Sequence, residues 1–190
     1  MKKIEIKEFG GPEVLEIKNV DIGKPGQNEV LVKNLSIGIN YIDTYHRSGL
    51  YPIPLPSGIG LEACSIIEEV GSEVKFLKVG DRVTRASMPI GTYSEKQIIP
   101  EDKLVKVPDN ISDEVASCIT LKGITAEYLL HRTYQVKKGD KILYHAAAGA
   151  LGQIFCPWAN ALGAEIIGTV GSDEKIEIAK KNGCHHVINY

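Results

Sequence analysis

Ala147-Ala148-Gly149-Ala150-Leu151-Gly152 follows a short run, Lys141 to His145, and leads into the segment Leu151 to Leu162. The six residues match the dinucleotide fingerprint with Ala in place of the first Gly. Gly149 lets the backbone approach a pyrophosphate at a helix N-terminus, where unpaired N–H groups and the helix dipole favour anions. Gly152 permits close packing of helix on strand. A turn of small residues needed only for packing is the competing reading, and the surrounding pattern argues against it. Lys141 to His145 reads as strand, Ala146 to Ala150 as turn and Leu151 to Leu162 as helix. Glu165 to Val170 then reads as strand, Ser172 to Asn182 as a helix ended by Gly183, and His186 to Tyr190 as strand. That order is βαβαβ, half of a doubly wound sheet.

About 20 residues beyond the fingerprint, NAD-binding proteins place an acidic residue on the ribose 2′-hydroxyl. Here the sequence is Val170-Gly171-Ser172-Asp173-Glu174-Lys175. The hydroxyl of Ser172 and the ammonium of Lys175 suit a 2′-phosphate, which favours NADP over NAD. Asp173 keeps NAD open, and Ser172 also suits a helix N-cap, with Lys175 a solvated helix residue.

Upstream the hydrophobic period is two. Met1 to Lys7, Val14 to Val20, Glu29 to Ile39, Ala63 to Val70, Asp81 to Arg85 and Tyr93 to Ile99 read as strands, punctuated by Gly10-Gly11-Pro12, Lys24-Pro25-Gly26 and Gly80-Asp81. Ser48 to Gly60 is a loop rich in Pro, Gly and Tyr. These closely spaced strands suggest a barrel-like or sandwich domain. After Pro108 the period becomes helical: Ser112 is a candidate N-cap before Asp113 and Glu114, and a second helix carries Ile124, Tyr128 and Leu129.

The chain has 190 residues, 22 Lys plus Arg against 24 Asp plus Glu, and 43% hydrophobic residues, the composition of an ordinary globular protein. The balanced charge gives no basic stripe for nucleic acid. No apolar run approaches the roughly 20 residues of a membrane span, and the N-terminus lacks a signal-peptide core, so a cytoplasmic protein is expected. Cys64, Cys118, Cys156 and Cys184 lie too far apart for a zinc site and read as reduced, buried small hydrophobes. Cys184, His185 and His186 on a strand would point to alternating faces, so no metal is expected there.

With these residues placed, the chain resembles the zeta-crystallin type of quinone oxidoreductase, a zinc-free branch of the medium-chain dehydrogenase/reductase superfamily. The resemblance runs over all 190 residues. It is carried by Gly10-Gly11-Pro12-Glu13-Val14-Leu15, Gly38-Ile39-Asn40-Tyr41-Ile42-Asp43-Thr44-Tyr45, Arg47-Ser48-Gly49-Leu50-Tyr51-Pro52, Leu121-Lys122-Gly123-Ile124-Thr125, His145 to Gly149, Ala161-Leu162-Gly163-Ala164 and Ile167-Gly168-Thr169-Val170-Gly171. The fold it implies is α/β plus β: a GroES-like β-barrel domain over residues 1–122, lacking a C-terminal return segment, then the first βαβαβ half of a Rossmann doubly wound sheet over 123–190.

The activity implied is reduction of quinones by NADPH, and the assembly implied is a homodimer. Zinc-dependent relatives carry Cys where this chain has Asn40 and His where it has Leu61, and neither Asn nor Leu replaces a zinc ligand. By the resemblance Asn40, Tyr45 and Tyr51 are the candidate catalytic residues, with the two tyrosines lining a quinone pocket. Tyr41, Ile42, Asp43, Thr44 and Thr125 line the nicotinamide side. Tyr128, Gly149, Ala150, Leu151, Gly152, Gly171, Ser172, Lys175 and Tyr190 follow the phosphates and adenosine. Core packing is the bland alternative for Tyr45 and Tyr51.

Three features depart from the family pattern. Its members continue for well over a hundred residues more, so a C-terminally truncated chain is expected; Pro157 falls inside a helix; and Ala150 stands where Gly is usual. Four functional readings remain: a quinone reductase, an enone or alkenal reductase of the same superfamily, an inactive truncated remnant, and RNA binding as in some relatives, which the balanced charge disfavours.

Overall fold

Strand β1 (Lys2–Ile6) alternates as the sequence suggests, but it pairs in a small sheet of its own. In the computed structural model, which describes residues 1–190, β1 lies between β2 (Glu16–Asn19) and β4 (Ser57–Gly58), antiparallel to both. A five-stranded antiparallel sheet carries the first core, in the order β7 (Lys96–Pro100), β3 (Glu29–Gly38), β5 (Glu62–Val70), β6 (Arg82–Ala86) and β8 (Val105–Lys106). Val30, Val32, Ile67, Val83 and Ile99 interdigitate there with Leu77.

The expected strand Tyr93 to Ile99 divides into two tasks. Tyr93 accepts the Ile4 amide at 2.7 Å and Ser94 bridges to Lys3, whereas Lys96–Pro100 crosses to the edge of β3. One short segment thus stitches both sheets. The barrel suggested by the sequence is not closed: β7 and β8 remain edges, and β8 is only two residues long.

Two helices belong with these strands. The eight-residue α1 (Tyr41–Ser48) follows β3 directly; the sequence reading has no helix there. The helix α2 (Asp113–Glu127) starts as expected, with Val115 donating its amide to Ser112 Oγ at 3.3 Å. The second helix expected at Ile124 to Leu129 merges with it, because nothing between them forbids helix: Gly123 weakens the backbone but no proline interrupts it. A π-helical turn, Tyr128–Thr133, ends the run.

By its internal contacts the chain divides into Met1–Leu121 and Lys122–Tyr190. The second unit holds a parallel sheet ordered β11 (His186–Asn189), β10 (Glu165–Val170), β9 (Lys141–Tyr144). Helix α3 (Gly152–Ala161) connects β9 to β10, and α4 (Glu174–Lys181) connects β10 to β11. The core is Phe155, Cys156 and Ala159 of α3 against Ile166 and Val170 of β10, with Ala126 and Leu130 added from the preceding helical segment. Pro157 faces solvent inside an unbroken α3, so the missing donor is the cost of its position, not a steric break.

Two local expectations change. Helix α4 begins at Glu174 with Asp173 at its N-cap, so Ser172 does not cap it. Cys184 and His185 precede β11 instead of lying on it, and their side chains part for another reason than strand alternation. Cys184 is buried, His185 Nδ1 accepts the Ile166 amide at 3.0 Å, and His186 Nε2 donates to Glu165 at 3.1 Å. No group of three His, Cys, Asp or Glu gathers to hold a metal ion, and no helix is long and apolar enough to cross a membrane.

Candidate functional site

In the first unit the candidate residues collect on α1 and the loop behind it. Asn40 sits at the N-cap with extended backbone and forms a capping box with Asp43. The Asn40 amide donates to Asp43 Oδ2 at 2.9 Å, and the Tyr93 hydroxyl donates to the same oxygen at 2.9 Å. The buried residues of this polar helix are Asp43, which takes both of these hydrogen bonds, and His46.

Its other side carries aromatic rings. Tyr41 and Tyr45, one helical turn apart, meet edge to face at 5.4 Å, and Tyr45 meets Tyr51 at 5.2 Å. The Tyr51 amide donates to the Tyr45 carbonyl at 3.2 Å, which brings the loop back onto the helix. Tyr51 is 51% exposed and Tyr41 77%, so neither is a core residue. Ile42 and Thr44 are half-buried, and the Thr44 hydroxyl donates to the Tyr41 carbonyl at 2.6 Å.

Beneath Asn40 lies Glu62, which has no exposed surface and which the motif reading passed over. Its Oε2 accepts from Asn40 Nδ2 at 3.0 Å and its Oε1 from the Leu121 amide at 2.7 Å. Leu61, beside it, is buried and offers no donor atom. An amide committed to a carboxyl group and an aliphatic side chain do not make a zinc site.

In the second unit the candidates line the carboxyl ends of the strands, the usual ligand side of an open α/β sheet. The turn after β9 runs from His145 to Leu151 into α3. Ala146 adopts a left-handed conformation, φ 56°, rare for a residue with a Cβ. Gly149 is exposed, and its amide closes the turn onto the Ala146 carbonyl at 2.8 Å. The amides of Ala150 and Leu151, at the start of α3, take no backbone partner. Gly152 is buried, and a Cβ there would run into the Ala147 carbonyl. Unpaired amides at a helix start beside an obligatory glycine fit a phosphate group.

At the end of β10, Gly171 is exposed, with the Tyr190 hydroxyl 3.8 Å from where its Cβ would stand. Ser172 is half-buried and Lys175 exposed. Asn189 Nδ2 donates to Asp173 Oδ1 at 2.6 Å, so this carboxylate is turned towards β11. Thr125 lies half-buried near the end of α2, and Tyr128 is 45% exposed where the π-helical turn begins. The structure thus groups Asn40, Tyr41, Tyr45 and Tyr51 in one unit, and Gly149 to Gly152, Gly171 to Lys175 and Tyr190 in the other.

Comparison with known proteins gives consistent similarities. Residues 26–109 match the alcohol dehydrogenase GroES-like domain, and residues 150–190 match the family described as zinc-binding dehydrogenase. A quinone oxidoreductase of Pseudomonas aeruginosa is 51% identical over the whole chain, and a 2-haloacrylate reductase of a Burkholderia species is 47% identical over 97% of it. The crystal structure of Escherichia coli quinone oxidoreductase complexed with NADPH superposes with a TM-score of 0.97 at 50% identity, covering the whole chain and 59% of that structure. The chain spans 58% of the length of the Pseudomonas relative and 57% of the Burkholderia one. Over its whole length the chain is thus similar to quinone oxidoreductases, and it carries matches to two domain families of the alcohol dehydrogenases.

Proposed function

We propose that this chain serves NADPH-dependent reduction of quinones, with residues 1–122 forming the substrate side and residues 123–190 the cofactor side. The observation that carries the reading is the turn into α3: the Ala150 and Leu151 amides take no backbone partner in the turn that follows β9, where Gly152 admits close approach. Its position matches the pyrophosphate site of dinucleotide-binding folds. NADPH is favoured over NADH because Asp173 is engaged by Asn189, while Ser172 and Lys175 offer a hydroxyl and a cation to a 2′-phosphate. Tyr190, whose hydroxyl lies near Gly171, would flank the adenosine.

When bound, NADPH supplies the hydride. The chain's own contribution is positioning. The edge-to-face tyrosines Tyr41, Tyr45 and Tyr51 form an apolar wall for a flat ring, and the hydroxyls of Tyr45 and Tyr51 are the donors available to a carbonyl oxygen. Asn40, tied to Glu62, fixes the start of that wall. No nucleophile is required of the protein.

A second reading is reduction of an electron-poor alkene conjugated to a carbonyl, favoured by the 47% identity to a 2-haloacrylate reductase. NADPH consumption with a benzoquinone and with a simple enone separates the two. The quinone is expected to be the faster acceptor. A faster enone would transfer the assignment to alkene reduction, and no NADPH consumption with either would overturn both.

A further inference from the structure

Glu62 lies opposite Gly38 in the β3–β5 register and is wholly buried, an expensive place for a carboxyl group unless polar donors meet it. Each of its oxygens accepts: Oε2 from the Asn40 side-chain amide at 3.0 Å, Oε1 from the Leu121 main-chain amide at 2.7 Å. Gly38 makes the arrangement possible. A Cβ at that position would collide with the Ser117 carbonyl and stand 3.1 Å from Glu62 Oε2.

We propose that Glu62 is a positioning residue that sets the orientation of the Asn40 amide and, through it, the presentation of Tyr41 and Tyr45. The two ends of an Asn side chain differ only in donor and acceptor character, so a neighbour must choose between them. Here Nδ2 is drawn to Glu62, and the carbonyl end is left to α1, where Asn40 and Asp43 form their capping box. An apolar residue of similar size would fill the space at lower desolvation cost but would not select one orientation. A Gln would not serve either: it keeps one acceptor and turns an NH2 towards either the Asn40 amide or the Leu121 amide, opposing one donor with another. The role rests on the reading of Asn40 as part of the substrate site, but the orientation itself does not.

The test uses the full chain and its Glu62→Gln, Glu62→Asp, Asn40→Ala and Glu62→Gln/Asn40→Ala variants. Heteronuclear NMR identifies the Asn40 side-chain NH2 by its disappearance in Asn40→Ala. Its exchange with solvent is expected to speed up on the order of tenfold or more in Glu62→Gln, as a buried hydrogen bond is lost. The Asn34 side-chain NH2, bonded to the Thr92 and Ser94 carbonyls, is expected to stay unchanged. In quinone turnover Glu62→Gln should lower kcat on the order of tenfold with KM within about twofold, and should cost nothing further in the Asn40→Ala background. Should Glu62→Gln not fold, Glu62→Asp, which keeps two acceptors but draws them back, carries the same comparison. Unchanged Asn40 exchange, or an equal loss of kcat in both backgrounds, would overturn the proposal. Absence of turnover in the unsubstituted chain would instead overturn the quinone reading, leaving the exchange measurement to decide the role of Glu62.

Discussion

Tyr93 and Asp43, 50 residues apart, are joined by a 2.9 Å hydrogen bond from the phenol to Oδ2, and that oxygen also receives the Asn40 amide. The bond fastens the first turn of α1 to the segment that stitches the two sheets. Burial, and then the Asp43 charge, push the Tyr93 phenol well above the usual tyrosine range, so it remains a donor through neutral pH. Tyr93→Phe should therefore destabilise the protein by about 1–2 kcal/mol, since a hydrogen bond to a carboxylate is lost from a half-buried site. Chemical denaturation checks this.

Gly152→Ala should damage both packing and cofactor affinity. The added methyl would meet the Ala147 carbonyl and stand 2.9 Å from that of Ala146, so the turn must shift. A stability loss of about 1–3 kcal/mol is expected from the overpacking. The rise in melting temperature that NADPH gives the unsubstituted chain should shrink or vanish; an undiminished rise would show that the turn does not hold the phosphates.

Pro157→Ala should stabilise. The proline faces solvent in the interior of α3, where it contributes no packing and withholds one helical donor. Alanine restores the donor, and a gain of roughly 1–3 kcal/mol is expected. A lower melting temperature for Pro157→Ala would mean that the ring packs in a way its exposure conceals.

Alkali should weaken the fold through its buried thiols. Burial, reinforced by the Asp113 carboxylate, pushes Cys64 up to about 11. Burial, with Cys184 beside it, pushes Cys156 up to about 12. In the unfolded chain both ionise near 8.5, so the unfolded state gives up protons first as pH rises. Their stabilisation is complete below about pH 8.5 and is lost progressively on the way to pH 11 and 12, by up to about 1.4 kcal/mol per pH unit for each thiol. Denaturation midpoints at rising pH should show this decline, and Cys156→Ala should make it shallower even where it lowers stability at neutral pH.

Period and punctuation made the second unit readable: an apolar strand, a turn of small residues, then helix and strand twice more. Gly152 of the fingerprint has a physical reason to be there, the nearby Ala147 carbonyl. Helix α1 was not legible by the same route. Its buried residues are Asp43 and His46, so no apolar stripe marks it, although Asn40 followed three residues later by Asp43 is a capping signal. Glu62 and Tyr93 were invisible for a different reason. Their partners, Asn40 and Asp43, are distant in sequence, and only pairing of β3 with β5 and of β1 with the Tyr93 segment brings them close. The pairing of Asp173 with Asn189, on the next strand, was not legible either, because it depends on where β11 lies.

Calorimetric titration of the chain and of Lys175→Ala with NADPH and with NADH tests the cofactor assignment most directly. The account predicts that the unsubstituted chain binds NADPH on the order of tenfold or more tightly than NADH, and that Lys175→Ala narrows the difference, because a charge-assisted contact to the 2′-phosphate contributes about 1.5–3 kcal/mol. Equal affinity for the two, or no binding of either, would contradict it.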